Sequence, residues 1–496
     1  MFRIRTTKTS SGATSVQVVR YERRKMIVVK HIGSAHGKEE ILALRRSAAV
    51  WIEKASGQSL LFSDMEVQPS AKLENYQYLG FRYALVYETL YDMCKLFGFH
   101  WIRNKLLLDL VIARIIQPGS KLQSIEFLKE CIGIEHRRQN LYQQMSKFLG
   151  AKGTVESKVL EIAKKEFDFK FSLVFYDVTT LYFESFDSDE LRRKGFSKDN
   201  KFNQPQIVLG LLVSVEGFPV AYQIFEGSKF EGHTLIPVIL EFKKKHKIDN
   251  FTVVADAAMI SSDNVRALTE AHLQYIVGAR TANLPIEMIR AINSQIAGHD
   301  GTMMRMETER GDLVCDFSEK RFAKDKREME KQITKAETLL KNPGSIKRTK
   351  FIASEGQIYS LNTVLIEKTK LLLGVKGYYT NLPRSQAEDR VIIEHYHNLW
   401  HVEQAFRIAK SDLQMRPMYH FKQEAIKAHV LICFMALAIC KYMELKTRKS
   451  TKSILKLLKS VTDATLVDTL TGERTTMRSP LNGEILNLLK KLSPTA

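Results

Sequence analysis

The sequence is poor in the features that mark several large protein classes. It has five cysteines in 496 residues, Cys94, Cys131, Cys315, Cys433 and Cys440, and no C-x-x-C pair. An odd, scattered set argues against a disulfide framework and a cysteine zinc site, and fits a reducing compartment. The longest apolar run, VLICFMALAIC, spans only Val430 to Cys440. That is about half of what a helix needs to cross a bilayer, so it reads as a buried helix. The N-terminal MFRIRTTKTSSG has no apolar h-region, so no secretory signal is expected. No repeat or low-complexity tract is found. Apolar residues make up 44% and charged residues 26%, which is too apolar for a disordered chain. What is left is a soluble, cytoplasmic chain with no membrane partner, long enough to bury a large core without staples.

What the sequence has in excess is positive charge. Lys and Arg number 75 against 55 Asp and Glu, a net of +20 with a pI near 9.5. The surplus points to a polyanion, most often nucleic acid, with solubility through self-repulsion as the rival reading. Much of it is local: +8 in the first 50 residues, +7 from Lys320 to Lys350, and +6 from Lys441 onward.

Periodicity divides the chain. Residues 1–75 read as a basic, strand-bearing module with strands near Ser15–Arg20 and Met26–His31. Residues 76–168 read as helical and DNA-binding. From 169 to 282 the pattern is three strands in a meander, then helix, strand, helix, strand, an α/β layer. The strands are FSLVFYDV, IVLGLLVSV, PVAYQIFEG, FTVVADAAM and QYIVGAR. Residues 283–389 interrupt that alternation. Residues 390–445 return to helix, one continuous turn sequence from about Arg390 to Leu413 and then the apolar Val430 helix. Residues 446–496 read as a basic tail.

Three acids are out of place in this pattern. Asp177 ends the apolar FSLVFYD and Asp256 ends FTVVAD. An acid at the end of a buried strand is costly unless paired, although a turn or N-cap Asp is the common bland explanation. Glu403 shares a helical stripe with Tyr396, Leu399, Phe406 and Lys410, so it is expected to face inward; an exposed ion pair with Arg407 is the alternative. In an RNase H-like fold the first and fourth strands are adjacent and a late helix packs across them, which would bring the three carboxylates together. Clustered carboxylates suit hard divalent cations, and two such ions can clamp the attacking and leaving oxygens of a phosphodiester.

Four segments carry a family resemblance: FYDVTTLYFES, GFSKDNKFNQPQIVLGLLVSVEGFPVAYQIFEG, VVADAAMISSDN and YHNLWHVEQAFRIAKSDLQMRPMYH. Together they resemble the DDE transposases of the bacterial insertion-sequence type. One branch of these has the signature Y-x2-R-x3-E-x6-K. Tyr396, Glu403 and Lys410 keep its spacing, while Leu399 stands where the signature has Arg. The resemblance implies an α/β fold. An RNase H-like catalytic core carries an insertion domain before the Glu-bearing helix and follows a mixed strand and helix N-terminal region. The 146 residues between Asp256 and Glu403 leave room for that insertion.

The resemblance also implies a function. Asp177, Asp256 and Glu403 would be catalytic and would hold two Mg²⁺ ions, with Mn²⁺ able to substitute. One strand is cut at the element's inverted-repeat end, and the freed 3′-OH attacks target DNA. Tyr396, Lys410, Arg407, Trp400 and Lys198 are the candidate DNA contacts: Tyr396 and Lys410 at terminal phosphates, Arg407 as a stand-in for the missing Arg, Trp400 for stacking on a base. Partners would be double-stranded DNA and a second copy on it, in the bacterial cytoplasm at the nucleoid. Two alternatives remain: a metal-dependent nuclease or resolvase on the same fold, and a DNA-binding derivative without catalysis. His397 and His401 have zinc-ligand spacing but lack the H-E-x-x-H motif, and GFSKD at Gly195–Asp199 lacks Walker spacing. His233 is expected at a helix start near the site.

Overall fold

The structure, a computed structural model, describes residues 2–22, 25–56, 76–169, 172–196, 203–259, 261–296, 298–341, 350–355, 358–469 and 472–493. The chain divides into two compact units. One comprises residues 1–89, 126–135 and 452–493, and the other residues 90–125, 136–451 and 494–496.

The second unit is organised by an eight-stranded mixed sheet. Its strands are β1 (Leu173–Tyr182), β2 (Gln206–Val213), β3 (Pro219–Glu226), β4 (Thr252–Ala255), β5 (Gln274–Ala279), β6 (Met303–Thr308), β7 (Gly311–Phe317) and β8 (Val375–Thr380). The spatial order is β6-β7-β8-β5-β4-β1-β2-β3. β1, β2 and β3 form an antiparallel meander, while β4 and β5 add parallel to β1. The first five strands in the order 3-2-1-4-5 make an RNase H-like sheet, as the family resemblance implies. The meander turns at Gly217, whose φ of 78° favours a residue without a Cβ. β2 is buried on both faces along its whole length, which is why it reads as an unbroken apolar run.

Residues 283–389 contribute three strands to this same sheet, and β8 pairs antiparallel with β5. The helix Glu319–Leu340 packs with Phe351, Ile366 and Leu373 in a small core of its own. The late helices are α1 (Asp389–His397), α2 (Trp400–Arg407) and α3 (Gln423–Thr447). α3 contains the apolar run and is long and apolar enough to cross a membrane by composition, yet 94% of its most apolar window is buried inside the protein. It packs on β3, with the Tyr222 and Phe434 rings 4.8 Å apart, and on the helix Lys105–Ile116.

In the first unit, strands Phe2–Lys8, Thr14–Glu22 and Lys25–Ala35 form an antiparallel sheet, and the helix Lys38–Ser56 packs its Leu44 and Ala48 against Val16, Val18 and Ile32. Residues 446–496, read as a tail, carry a helix at Thr451–Lys459, strands Asp463–Asp468 and Arg474–Arg478, and a helix at Gly483–Leu492. The two strands join Tyr76–Arg82 in a second sheet, where Arg478 bridges Asp463 at 2.8 Å and Glu88 at 2.7 Å.

Candidate active site

The sheet register brings the two strand-borne acids to one level. β1 and β4 run parallel, with Phe175 beside Val254 and Tyr176 beside Ala255. One further step puts Asp177 beside Asp256, on backbones about 4.8 Å apart. β1 is buried through Tyr176, and Asp177 is the first position where that burial opens. Asp256 follows the last residue of β4. Its Oδ1 accepts from the Ala257 amide at 2.6 Å and from the Tyr396 hydroxyl at 3.2 Å.

Tyr396 gathers the third acid. It lies buried in α1, close against β5. A Cβ on Gly278 of β5 would stand 2.4 Å from its hydroxyl oxygen, so the glycine makes room for that oxygen. Burial raises the Tyr396 pKa, and Asp256, Glu403 and Asp177 raise it further. One hydroxyl therefore feels all three acids.

Glu403 is exposed, where the stripe argument turns it inward. The helix expected from Arg390 to Leu413 is broken at Asn398–Leu399. There the amides of Leu399, His401 and Val402 bond three residues back, to Tyr396, Asn398 and Leu399. This tighter winding changes the phase, so residues beyond the break leave the stripe of those before it. Leu399 falls in the break and is buried, an environment suited to Leu and not to a signature Arg reaching for DNA. The same break separates His397 from His401. His397 takes part in a bond with the Tyr378 hydroxyl at 3.2 Å, and His401 stacks against Trp400 with centroids 4.0 Å apart.

The other expected contacts are scattered. Trp400 is 50% exposed at the start of α2. Arg407 is exposed at its end, and Lys410 is half-buried on the π-helical turn Ile408–Asp412. Lys198 lies outside the described residues, as do all of residues 197–202. His233 ends a short 3₁₀ turn just before the helix Leu235–His246. Asn264 ties that turn to the one after Asp256 by donating to the carbonyls of Gly232 and Met259.

Sequence reasoning missed Lys376 on β8. Its amine stands 4.6 Å from the centre of the Tyr396 ring. Burial and Arg321 lower its pKa, while Asp316, Asp256 and Glu403 pull it back up. The only signal is one Lys inside the otherwise uncharged strand VKGYYT. Next to it, Asp316 accepts from the Tyr378 hydroxyl at 3.0 Å and pairs with Arg321 at 3.3 Å.

Asp256 and Glu403 lie within electrostatic range of the half-buried Lys376 amine, and carboxylate oxygens are the donors a hard divalent cation takes. Among the described residues no three His, Cys, Asp or Glu side chains form a group that could hold a metal ion. The acids share one neighbourhood without being drawn into a cage.

Residues 168–439 match the family described as "Transposase DDE domain". No curated protein matches the chain. Among solved structures it is similar to the piggyBac transposase in its synaptic complex with hairpin DNA, at 10% identity and a TM-score of 0.35, covering 61% of this chain and 56% of that one. It is also similar to the Mos1 transposase in a paired-end complex with the left transposon end, at 10% identity and a TM-score of 0.16, covering 47% of this chain and 66% of that one. The chain thus spans just over half the length of the first and just under two thirds of the second.

Proposed function

The chain belongs to the family of transposases with a DDE domain, and from that premise we propose that it binds the inverted-repeat ends of an insertion sequence and catalyses metal-dependent strand cleavage followed by strand transfer. The observation that carries this reading is the Tyr396 hydroxyl, which bonds Asp256 and lies in the field of Asp177 and Glu403.

Family members generally use divalent metal ions. In this chain Asp177, Asp256 and Glu403 would hold two Mg²⁺ ions, with Mn²⁺ able to replace them. When bound, such a pair supplies electrostatic stabilisation to both oxygens of an in-line phosphoryl displacement. The chain's own residues do the positioning. Both side-chain hydrogen bonds on Asp256 fall on Oδ1, which limits the rotation of the carboxylate. Lys376 offsets part of the mutual repulsion of the acids. Trp400, one turn before Glu403, offers an exposed ring for a base at the cut end. Arg407 and Lys410, on the continuation of that helix, and Lys198 are assigned to phosphates. The enzyme would act as a homodimer holding two ends, in the bacterial cytoplasm.

The test is an end-labelled duplex ending in the element's inverted repeat, incubated with Mg²⁺ and target DNA. Cleavage followed by joining is expected from the native chain and neither from Asp177→Ala. Cleavage without joining would identify a nuclease, and end binding without cleavage a non-catalytic derivative. Metal-dependent cleavage surviving Asp177→Ala would overturn the site assignment.

A further inference from the structure

Beyond the helix that carries Glu403, the segment Leu413–Lys422 (LQMRPMYHFK) combines two features that the acidic site does not use. Its outer side is aromatic. Tyr419 and Phe421 are 64% and 61% exposed, and such large rings are normally buried. They alternate with Arg416, His420 and Lys422. The Phe421 ring lies 5.9 Å from the Arg192 guanidinium, and Arg416 stands over the Tyr182 ring at 5.6 Å.

Its inner side rests on buried basic groups. Arg114 is 2% exposed and donates to the carbonyls of Leu413 and Gln414 at 3.4 and 3.5 Å. Its Nε has no partner among the described residues. His429 bonds the Met415 carbonyl through Nε2 at 3.0 Å. A carbonyl only accepts, so Nε2 carries the proton, and Nδ1 accepts from Lys121 at 3.0 Å. The groups that face this cluster are basic, Arg114, Lys121 and His420; burial pushes the Lys121 amine well below its usual pKa and His420 down to about 4, so the fixed charge is that of Arg114. Among the described residues no carboxylate forms an ion pair with Arg114 or Lys121. A buried cation without a counter-ion is costly, and an approaching polyanion relieves that cost.

We propose that Leu413–Lys422 is a platform for unpaired nucleotides of a DNA strand, with Tyr419 and Phe421 stacking on bases and the exposed Lys422 and buried Arg114 drawing the phosphates. The platform joins the end of β1 through the paired Phe183 and Met418. From Asp177 to Tyr182 is five residues of strand, roughly 17 Å, or about three nucleotides of extended strand beyond the acids. Its occupant is single-stranded, the strand that leaves the site, because exposed rings stack only on bases that a duplex no longer holds in its own stack. This inference rests on the DNA-end reading above and assigns a surface to one of its substrates.

The test is fluorescence anisotropy without divalent metal, comparing a blunt duplex with the same duplex bearing a short oligothymidine overhang. The native chain should prefer the overhang. Tyr419→Ala/Phe421→Ala should lose that preference by about tenfold or more, with blunt-duplex affinity unchanged. Tyr419→Phe and Phe421→Tyr keep a stacking ring and should keep the preference. Both rings are exposed, so the variants should fold. Equal losses on both probes, an unchanged preference in the Ala variant, or no preference in the native chain would each overturn the platform while leaving the transposase reading standing. No binding to either probe would overturn both.

Discussion

Asp177 and Asp256 sit on adjacent parallel strands whose register fixes them side by side, with the buried β1 and β4 holding the backbone on both flanks. Glu403 sits at an exposed position of α2, beyond a break, and the packing of α2 on β1 and β2 through Val402, Ala405 and Phe406 places it near them. The strand acids are over-determined, because a slip of one residue would turn a whole buried strand inside out. The helix acid depends on Tyr396, which reaches from α1 to Asp256 and lies within range of Glu403. The difference separates a rigid half of the site from an adjustable half.

The largest effect sharpens that comparison directly. Asp177→Ala, Asp256→Asn and Glu403→Gln should each reduce strand cleavage by roughly a thousandfold or more, the scale seen on losing an essential electrostatic group. Thermal unfolding should change little in all three, because each variant removes one of several like charges. Asp256→Asn also keeps an oxygen for the Ala257 amide and the Tyr396 hydroxyl. Unfolding of the Asp variants alone would show that the strand acids are structural and only the helix acid is functional.

Gly278→Ala tests how the two halves meet. The added methyl would stand 2.4 Å from the Tyr396 oxygen, 3.0 Å from its Cζ and 3.1 Å from the Ala257 Cβ. Overpacking of this kind costs about 1–3 kcal/mol, readable by chemical denaturation. Cleavage should fall as well, because the displaced hydroxyl releases Asp256. Full stability and activity would mean that α1 slides freely over β5, and the contrast between a rigid and an adjustable half would fail.

Tyr396→Phe is milder. It keeps the ring packed on Tyr378, at 4.8 Å between centroids, and removes only the hydrogen bond. The loss should be about 1 kcal/mol, or roughly fivefold in cleavage rate at saturating metal. An unaltered rate would reduce Tyr396 to a core residue that happens to lie beside the acids.

The strand half of the site was legible in the sequence and the helix half only in part, for a physical reason. Short apolar runs bounded by turns place Asp177 and Asp256 at strand ends, and the resemblance to an RNase H-like core sets β1 beside β4. Glu403 was placed by assuming one unbroken 3.6-residue period from Arg390 to Leu413. Nothing in HNLW announces the tight turn at Asn398–Leu399, since neither Pro nor Gly interrupts it. The participation of β6, β7 and β8 in the main sheet was likewise hidden, because sheet membership is decided by pairing over long separations and not by local pattern. Lys376 entered the site the same way: β8 pairs with β5 from about a hundred residues downstream.

Lys376 supplies the smallest and most discriminating test, because it lies between the two halves. Its ammonium is drawn toward Asp256 on the rigid side and Glu403 on the adjustable one. A fixed cation there repels an incoming divalent ion while relieving the repulsion among the carboxylates proposed to bind it. These effects have opposite signs. At a half-buried site, one unit charge several ångströms away contributes about 1 kcal/mol. If the acids are already well positioned, direct repulsion dominates. Lys376→Met should then tighten Mg²⁺ binding by roughly fivefold in titration calorimetry of the DNA-free protein. If the Lys is what keeps Glu403 near the strand acids, the same variant should weaken Mg²⁺ binding, and Glu403→Gln added to it should cost little more. The first outcome makes the adjustable half merely exposed; the second makes it dependent on a residue carried by the sheet.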